Sequence, residues 1–232
     1  MSIMKEYKVG LLIPWVNTAM EDEIPLLVNK RVGLHWSRIK PSKGPKDGHD
    51  DTYLDSMIED IPNALSRFGE LKLDLVILGC TSATITNEEK NLSIIWKNQK
   101  ARYVSTMDAM VAQLRKYGAK KVMLFAPYTK EMISSEISLL ERFNITVSKA
   151  VRIDYFDEIR HIRPVDIFNT FMREYKSGPD AILFSCTGMY TLEAFKKIHR
   201  GINLSVPLIS SNSAIGSIIN DMYSSNIIKG RI

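Results

Sequence analysis

Two cysteines in similar surroundings are the residues of this sequence best suited to chemistry. Cys80 ends the apolar segment "DLVILGC" and Cys186 ends "DAILFSC"; hydroxyl residues follow each of them, Thr81 and Ser82 in the first case and Thr187 in the second. A hydroxyl residue at such a point can cap a helix, whose first backbone N–H groups favour an anion. The pattern predicts a thiol that tends toward thiolate, beside N–H groups that can bind a carboxylate.

Both cysteines are expected to be reduced. A chain of 232 residues does not need a single disulfide for stability, and an isolated free cysteine is often only a small buried apolar residue. Cys80 and Cys186, however, occupy one position of an internal repeat. This favours a functional pair that presents a thiol to each side of a planar carbon.

The repeat relates the two halves of the chain. "VGLLIPW" at 9–15 aligns with "VMLFAPY" at 122–128, "EIPLL" at 23–27 aligns with "EISLL" at 136–140, and "DLVILGCTSAT" at 74–84 aligns with "DAILFSCTGMY" at 180–190. Two halves of this length can each form a small doubly wound domain. We predict an N-terminal domain at 1–116 that carries Cys80 and a C-terminal domain at 117–232 that carries Cys186.

The elements that position the cysteines are strands alternating with helices. Apolar runs of strand length lie at 7–14, 32–39, 73–79, 101–105, 121–127, 145–151, 180–185 and 206–210. Several are apolar nearly throughout, as strands buried on both faces of a parallel sheet are. Amphipathic segments such as "TYLDSMIEDIPNALSRFG" separate them and have the spacing of helices. The sequence therefore predicts an α/β fold: two similar Rossmann-like domains, each a doubly wound parallel sheet, related by a pseudo-twofold axis, with the active site between them.

Composition and charge narrow the class of protein. The chain is 45% hydrophobic and 25% charged, as ordinary globular proteins are, and no run approaches the roughly eighteen apolar residues of a membrane span. Its start does not resemble a secretory leader, so a cytoplasmic protein is expected. The 31 basic and 26 acidic residues alternate along the chain; without a basic stripe, neither nucleic acid nor membrane is expected as a partner.

Metal and nucleotide chemistry are not expected either. The four histidines have no ligand-like spacing, and two distant cysteines do not form a zinc site. The first strand leads into "IPWVN" instead of a glycine-rich phosphate loop. We therefore predict no metal and no cofactor. The N–H groups expected beside the cysteines favour a small carboxylate as the substrate.

Four segments carry a resemblance to a known family: "GLLIPWVNTAMEDEIP", "LGCTSAT", "FAPY" and "FSCTGMYTLEAF". Together they resemble the aspartate/glutamate racemase superfamily, in the branch of maleate cis-trans isomerases and arylmalonate decarboxylases, with most similarity to the isomerases. The resemblance implies two Rossmann-like domains, a cofactor-free active site between them and a homodimer or higher homo-oligomer. It also implies that Cys80 is the nucleophile and Cys186 the acid/base.

The same resemblance supplies candidate substrate-binding residues. The family's asparagine after the first strand falls on Asn17, and its tyrosine after the fifth strand falls on Tyr128. An amide and a phenol can both donate to a carboxylate without adding charge. Backbone N–H groups after the cysteines would hold carboxylate oxygens; the residues concerned are Thr81, Ser82, Thr187 and Gly188, of which the glycine permits close approach.

One position departs from the family pattern. The isomerases carry a further asparagine after the sixth strand, whereas "RIDYFDEIRHIRP" contains none and aligns Asp157 there. A second carboxylate of the substrate would be repelled by an ionised Asp157. Either Asp157 is held protonated, or it points away, or the natural substrate lacks that second carboxylate. We favour the second alternative, with Tyr155, Arg160 or Arg163 meeting the carboxylate instead.

The preferred interpretation is an enzyme that isomerises maleate or a related cis-enedioate through a covalent Cys80 adduct, with Cys186 as acid/base. A cofactor-independent amino-acid or hydroxy-acid racemase, in which two thiols exchange a proton, is the first alternative. A decarboxylase follows, although those relatives keep only the second cysteine. A small-acid binding or redox-sensing protein with reversibly bridged cysteines is the last.

Overall fold

The computed structural model describes residues 5–42, 51–86, 101–155 and 158–229. Its first half is a four-stranded parallel sheet in the order β2-β1-β3-β4. The strands are β1 (Tyr7–Pro14), β2 (Val32–Ile39), β3 (Leu75–Leu78) and β4 (Arg102–Ser105), and the helices are α1 (Ala19–Leu27), α2 (Asp51–Glu59), α3 (Ile61–Ser66), α4 (Thr81–Thr86) and α5 (Thr106–Lys116).

The second half repeats this arrangement in the order β6-β5-β7-β8, again with every strand pair parallel. The strands are β5 (Lys121–Ala126), β6 (Thr146–Arg152), β7 (Ala181–Phe184) and β8 (Leu208–Ser210). The helices are α6 (Lys130–Arg142), α7 (Pro164–Glu174), α8 (Thr191–Gly201) and α9 (Ser211–Lys229), with a short 3-10 helix at Ile159–His161. The predicted α/β fold with two equivalent wound parallel sheets is confirmed.

The central strands are buried on both faces, which explains their continuous apolar runs. All four residues of β3 and all four of β7 are buried. In the second half, three rings form the centre of the core: the ring centroids of Phe125 and Phe184 are 4.9 Å apart, and Phe171 packs against both.

The last helix links the two halves. Helix α9 begins directly after β8, yet it packs on α1 and α5 of the first half. The Asn220 side chain donates to the Leu27 carbonyl and accepts from the Asn29 N–H, both at 2.9 Å. Further along the helix, the Tyr223 hydroxyl donates to Glu6. The predicted division between residues 116 and 117 separates the two sheets and stays a prediction.

Within the ranges that the structure describes, no helix combines the length and the apolar character that crossing a membrane requires.

Candidate active site

A cavity of about 370 Å³ lies where the carboxyl ends of both sheets face each other. Both halves contribute to its wall, as expected for a ligand site beyond the ends of parallel strands. Eight of the predicted site residues line it together: Asn17, Cys80, Thr81, Ser82, Tyr128, Cys186, Thr187 and Gly188. The ninth, Asp157, lies outside the described residues.

Cys80 stands between β3 and α4 and is 5% exposed. Its carbonyl accepts from the Thr84 N–H at 3.2 Å, so α4 begins directly after it. The thiol accepts from the backbone N–H groups of Ser82 and Ala83, and its Sγ lies 3.5 Å from the Ser82 hydroxyl. Burial nevertheless raises the Cys80 pKa by more than these hydrogen bonds lower it. The expectation of a readily formed thiolate is therefore wrong: the thiol is the favoured form.

Cys186 has different local surroundings from its repeat partner. A turn at 187–190 follows it, and α8 begins only at Thr191, so Cys186 is not at a helix N-terminus as predicted. The Gly188 N–H donates to its Sγ at 3.4 Å, and the Tyr128 hydroxyl also donates to it. Burial, with smaller contributions from the charges of Cys80 and Glu136, raises the Cys186 pKa to about 12. Cys186 therefore keeps its proton near neutral pH.

Asn17 is buried in the turn after β1, and protein groups engage both of its polar atoms. Its Nδ2 donates to the Thr187 hydroxyl at 3.1 Å, and its Oδ1 accepts from the Met20 N–H at 3.1 Å, near the start of α1. The Thr187 hydroxyl donates in turn to the Gly79 carbonyl at 3.0 Å. This chain of hydrogen bonds joins the loops that carry the two cysteines. Only the second hydrogen on Nδ2 remains for a ligand.

The two threonines that follow the cysteines both reach across the boundary between the halves. Thr187 of the second half contacts Gly79, and the Thr81 hydroxyl of the first half is 3.0 Å from that of Ser211 at the start of α9. These side chains are thus used within the protein. Their backbone N–H groups are the parts suited to binding a carboxylate.

Tyr128 and Gly188 complete the surroundings of Cys186. The Tyr128 phenol is 4% exposed, and burial raises its pKa well above the ordinary value, so it stays a neutral donor. A Cβ at Gly188 would lie 3.3 Å from the Ile159 Cγ2 and 3.6 Å from the Cys186 Sγ. A side chain there would crowd Ile159, whereas its contact with the thiol would be an ordinary one.

Several wall residues escaped the sequence interpretation, and two of them belong to one helix. Tyr53 and Met57 of α2 line the cavity, and Tyr53 is close enough to Cys80 for the thiolate charge to raise the pKa of its phenol, after the larger effect of burial. Their helical spacing indicated a core-facing stripe, which is what both residues also form. Spacing alone cannot tell a wall that faces a cavity from one that faces the core.

The segment after β6 places its basic residues differently. Arg160 lines the cavity and forms an ion pair with Glu158. The Arg160 Nε lies 2.5 Å from the Glu158 Oε2, and the Arg160 Nη2 donates to the Glu158 Oε1 at 3.1 Å. Arg163 pairs instead with Asp166 through two hydrogen bonds, with its side chain 73% exposed, and does not belong to the described wall. Tyr155 lines the cavity near Cys186. Burial raises the pKa of the Tyr155 phenol, and the charge of a Cys186 thiolate would raise it further. Of the three predicted partners for a second carboxylate, Tyr155 and Arg160 line the cavity; that either of them binds a carboxylate stays a prediction.

Among the described residues, no three histidine, cysteine, aspartate or glutamate side chains come together as a metal site would require. The chemical groups that the described wall offers are thiols, phenols, hydroxyls, one amide, the Arg160–Glu158 ion pair and backbone N–H groups. These groups suit proton transfer and thiol addition at a carbon next to a carboxylate.

Comparisons with known proteins agree with this architecture. The maleate isomerase of Geobacillus stearothermophilus is 24% identical over 238 residues, which cover 94% of this chain and 92% of that protein. A cysteine-to-serine mutant of the Nocardia farcinica maleate cis-trans isomerase, with a covalently bound succinylcysteine intermediate, superposes with a TM-score of 0.80 at 19% identity, covering 92% of this chain and 91% of that one. An arylmalonate decarboxylase structure superposes with a TM-score of 0.70 at 17% identity, covering 89% and 88%.

A protein-family model identifies the family of this chain. The family model described as arylmalonate decarboxylase matches residues 74–220, which include both cysteines and most of the cavity wall. The resemblance inferred from the cysteine segments is thereby confirmed. The chain belongs to the arylmalonate decarboxylase family.

Proposed function

We propose that this protein is a cofactor-independent cis-trans isomerase of maleate or a related cis-enedioate. The observation that carries the proposal is the pair of buried cysteines, one from each half, that line a single cavity. The similarity to maleate isomerases over nearly the whole chain favours this reaction over others of the family. The presence of Cys80 argues against decarboxylation, in which the second cysteine acts alone.

The reaction begins at Cys80. The Cys80 thiol first gives its proton to solvent, and the thiolate then forms a C–S bond to one olefinic carbon. The π electron pair of the double bond moves toward the remote carboxylate as an enediolate, which leaves a single bond about which the two ends rotate. Cys186 gives its proton to the neighbouring carbon and takes it back before the C–S bond breaks. Elimination releases the trans product and the Cys80 thiolate, which regains its proton from solvent.

Backbone N–H groups supply the electrostatic part of the catalysis. The N–H groups of Ser82 and Ala83 point at the Cys80 thiol and stabilise its thiolate, while those after Cys186 are available to carboxylate oxygens. Because burial raises the Cys80 pKa, forming the thiolate is part of the barrier. In the range below that pKa, the thiolate fraction and the rate rise about tenfold per pH unit.

Arg160 is proposed to hold the second carboxylate. It replaces the amide that the isomerases carry in this segment, and it is the cation in the described wall. Its Nε and Nη2 contact Glu158, and Nη1 is the proposed donor to the ligand. Glu158 also offsets the positive charge, so Arg160 can orient a dicarboxylate without binding it too strongly to release.

Mass spectrometry of the Cys186→Ser protein incubated with maleate tests the proposal. Without the acid/base, we expect a covalent adduct of one maleate to accumulate on the peptide that contains Cys80. The matched Cys80→Ser protein should form no adduct. It should also convert no maleate to fumarate, a reaction that ultraviolet absorbance follows. Turnover by Cys80→Ser, or an adduct on another residue, would refute the mechanism.

Racemisation remains a second candidate because two thiols that share a cavity also suit proton exchange at one carbon. Incubation with amino and hydroxy acids in deuterium oxide distinguishes the two reactions. Deuterium at the α-carbon of a recovered substrate, without turnover of maleate, would favour the racemase.

A further inference from the structure

Glu136 of α6 is a fully buried carboxyl group that the proposed reaction does not use. It is 0% exposed, and its Oε1 accepts a short hydrogen bond from the hydroxyl of Ser185, the residue before Cys186. Its Oε2 has no hydrogen-bond partner among the described residues. A buried carboxyl that receives one hydrogen bond is poorly suited to carry a charge.

The repeat partner of Glu136 is Glu23 of α1, in the aligned segments "EIPLL" and "EISLL". Glu23 is also buried, but it accepts from the Leu192 N–H at 2.7 Å, the Asn212 amide at 2.8 Å and the Thr191 hydroxyl at 3.1 Å. These donors come from the other half of the molecule and compensate much of the cost of its burial.

The donors are missing around Glu136 for a reason visible in the sequence. The repeat aligns Thr191 with Ile85, and the strand registers align Asn212 with Met107. Neither Ile85 nor Met107 has a hydrogen-bond donor in its side chain. The two halves therefore differ at this one buried carboxyl, although their folds repeat.

Glu136 acts on Cys186 and Tyr128. Its charge, when present, raises the pKa of both side chains, and burial raises the pKa of Glu136 itself to about 8. Helix α6 packs on α4 and β6. Helix α4 has no titratable residue, while Lys149 and Arg152 of β6 face Glu174 and Asp154. The charged residues of α6 itself, Lys130, Glu131, Glu141 and Arg142, are exposed.

We propose that Glu136 is a positioning residue that controls proton release by Cys186. With a neutral Glu136, Cys186 can pass its proton to the substrate carbon and hold the negative charge that remains. With an ionised Glu136, a second negative charge would form beside the first in a site that excludes water, so the proton stays on the thiol. Glu136 thereby sets the pH range in which Cys186 can act as the acid. The proton-transfer part rests on the proposed function, whereas the influence on the thiol does not.

The coupling is measured without any substrate. In a Cys80→Ser background, the rate at which iodoacetamide alkylates Cys186 is followed from about pH 7 to 11. Adding Glu136→Gln should move this curve to lower pH. Near pH 9 to 10 we expect alkylation several times faster than in Cys80→Ser alone, with about a tenfold increase for each unit by which the pKa of the Cys186 thiol falls. Adding Glu141→Gln, an exposed residue of the same helix, is the matched control and should leave the curve in place. Coinciding curves for the first two proteins would overturn the proposal.

Two further measurements separate the possible outcomes. Ser185→Ala removes the hydrogen bond that favours the charged form of Glu136, so it should also speed alkylation near pH 9; this variant serves if Glu136→Gln does not fold. With maleate, wild-type kcat/KM should stop rising above about pH 8, because the loss of proton transfer by Cys186 offsets the growing thiolate fraction of Cys80; for Glu136→Gln the rise should continue. A shifted alkylation curve without any turnover of maleate would refute the isomerase and keep the Glu136–Cys186 coupling; normal turnover with an unshifted curve would refute the coupling alone.

Discussion

Replacing Glu136 by glutamine should change how the stability of the protein depends on pH. The folded state keeps the Glu136 proton up to a pKa of about 8, whereas the ordinary value that applies to the unfolded chain is 4.5. Between these values the folded state binds more protons than the unfolded state, so the free energy of unfolding of the wild type falls as the pH rises. Glutamine resembles the protonated form at every pH and should not show this loss.

The magnitude follows from the same two values. A pKa raised from 4.5 to about 8 corresponds to roughly 5 kcal/mol, at about 1.4 kcal/mol for each pH unit. The carboxyl is fully buried, so solvent screening does not reduce this figure. An effect of that size is a large fraction of the total stability of a domain, typically about 5 to 15 kcal/mol.

Urea unfolding of both proteins at several pH values between about 5 and 9 gives the measurement. We expect the stability of Glu136→Gln relative to the wild type to increase steadily toward pH 8 and then to level off. Taking the difference removes the contributions of the other titrating groups. Glu141→Gln serves as the control, with a constant difference from the wild type. Parallel curves for Glu136→Gln and the wild type would refute the assignment of a raised pKa to this carboxyl.

Four further substitutions test the site itself. Cys80→Ser should abolish turnover, because a hydroxyl is a far weaker nucleophile than a thiolate and the described wall offers no histidine or lysine as a base; measurable maleate conversion would contradict this. Tyr128→Phe should cost about 1 to 3 kcal/mol of transition-state stabilisation, from the ratio of kcat/KM values, with little change in melting temperature. Asn17→Ala should lower both kcat/KM and the melting temperature, since its amide joins the cysteine loops; unchanged melting would show that the join carries little energy. Arg160→Gln should raise KM for maleate about tenfold or more with a smaller effect on kcat, and an unchanged KM would remove Arg160 from the binding site.

The sequence by itself determined the fold and the position of the thiols. Strands buried on both faces must be apolar throughout, so β3 and β7 are recognisable without any structure, and the residues that end them are known to lie at the same edge of each sheet. The repeat then predicts that Cys80 and Cys186 are equivalent. Both inferences depend on local pattern and on general rules of parallel sheets.

Only the tertiary structure decided how each thiol behaves. The protonation state of Cys80 depends on how completely both halves exclude water, and burial outweighs the N–H groups that the sequence did predict. The turn at 187–190 delays α8 and removes the helix N-terminus expected at Cys186, although the two segments align well. The hydroxyls of Thr81 and Thr187 bind across the halves, which no local pattern could indicate.

The contrast between Glu23 and Glu136 has the same origin. In the sequence both are acidic residues of similar helical segments. What separates them is the set of side chains that the opposite strand ends and helices bring to each carboxyl: donors around Glu23, and Ile85 and Met107 in the aligned positions for Glu136. Desolvation and hydrogen bonding act over a few ångströms in space, among residues far apart along the chain. The charge state of a buried group is therefore a property of the assembled fold.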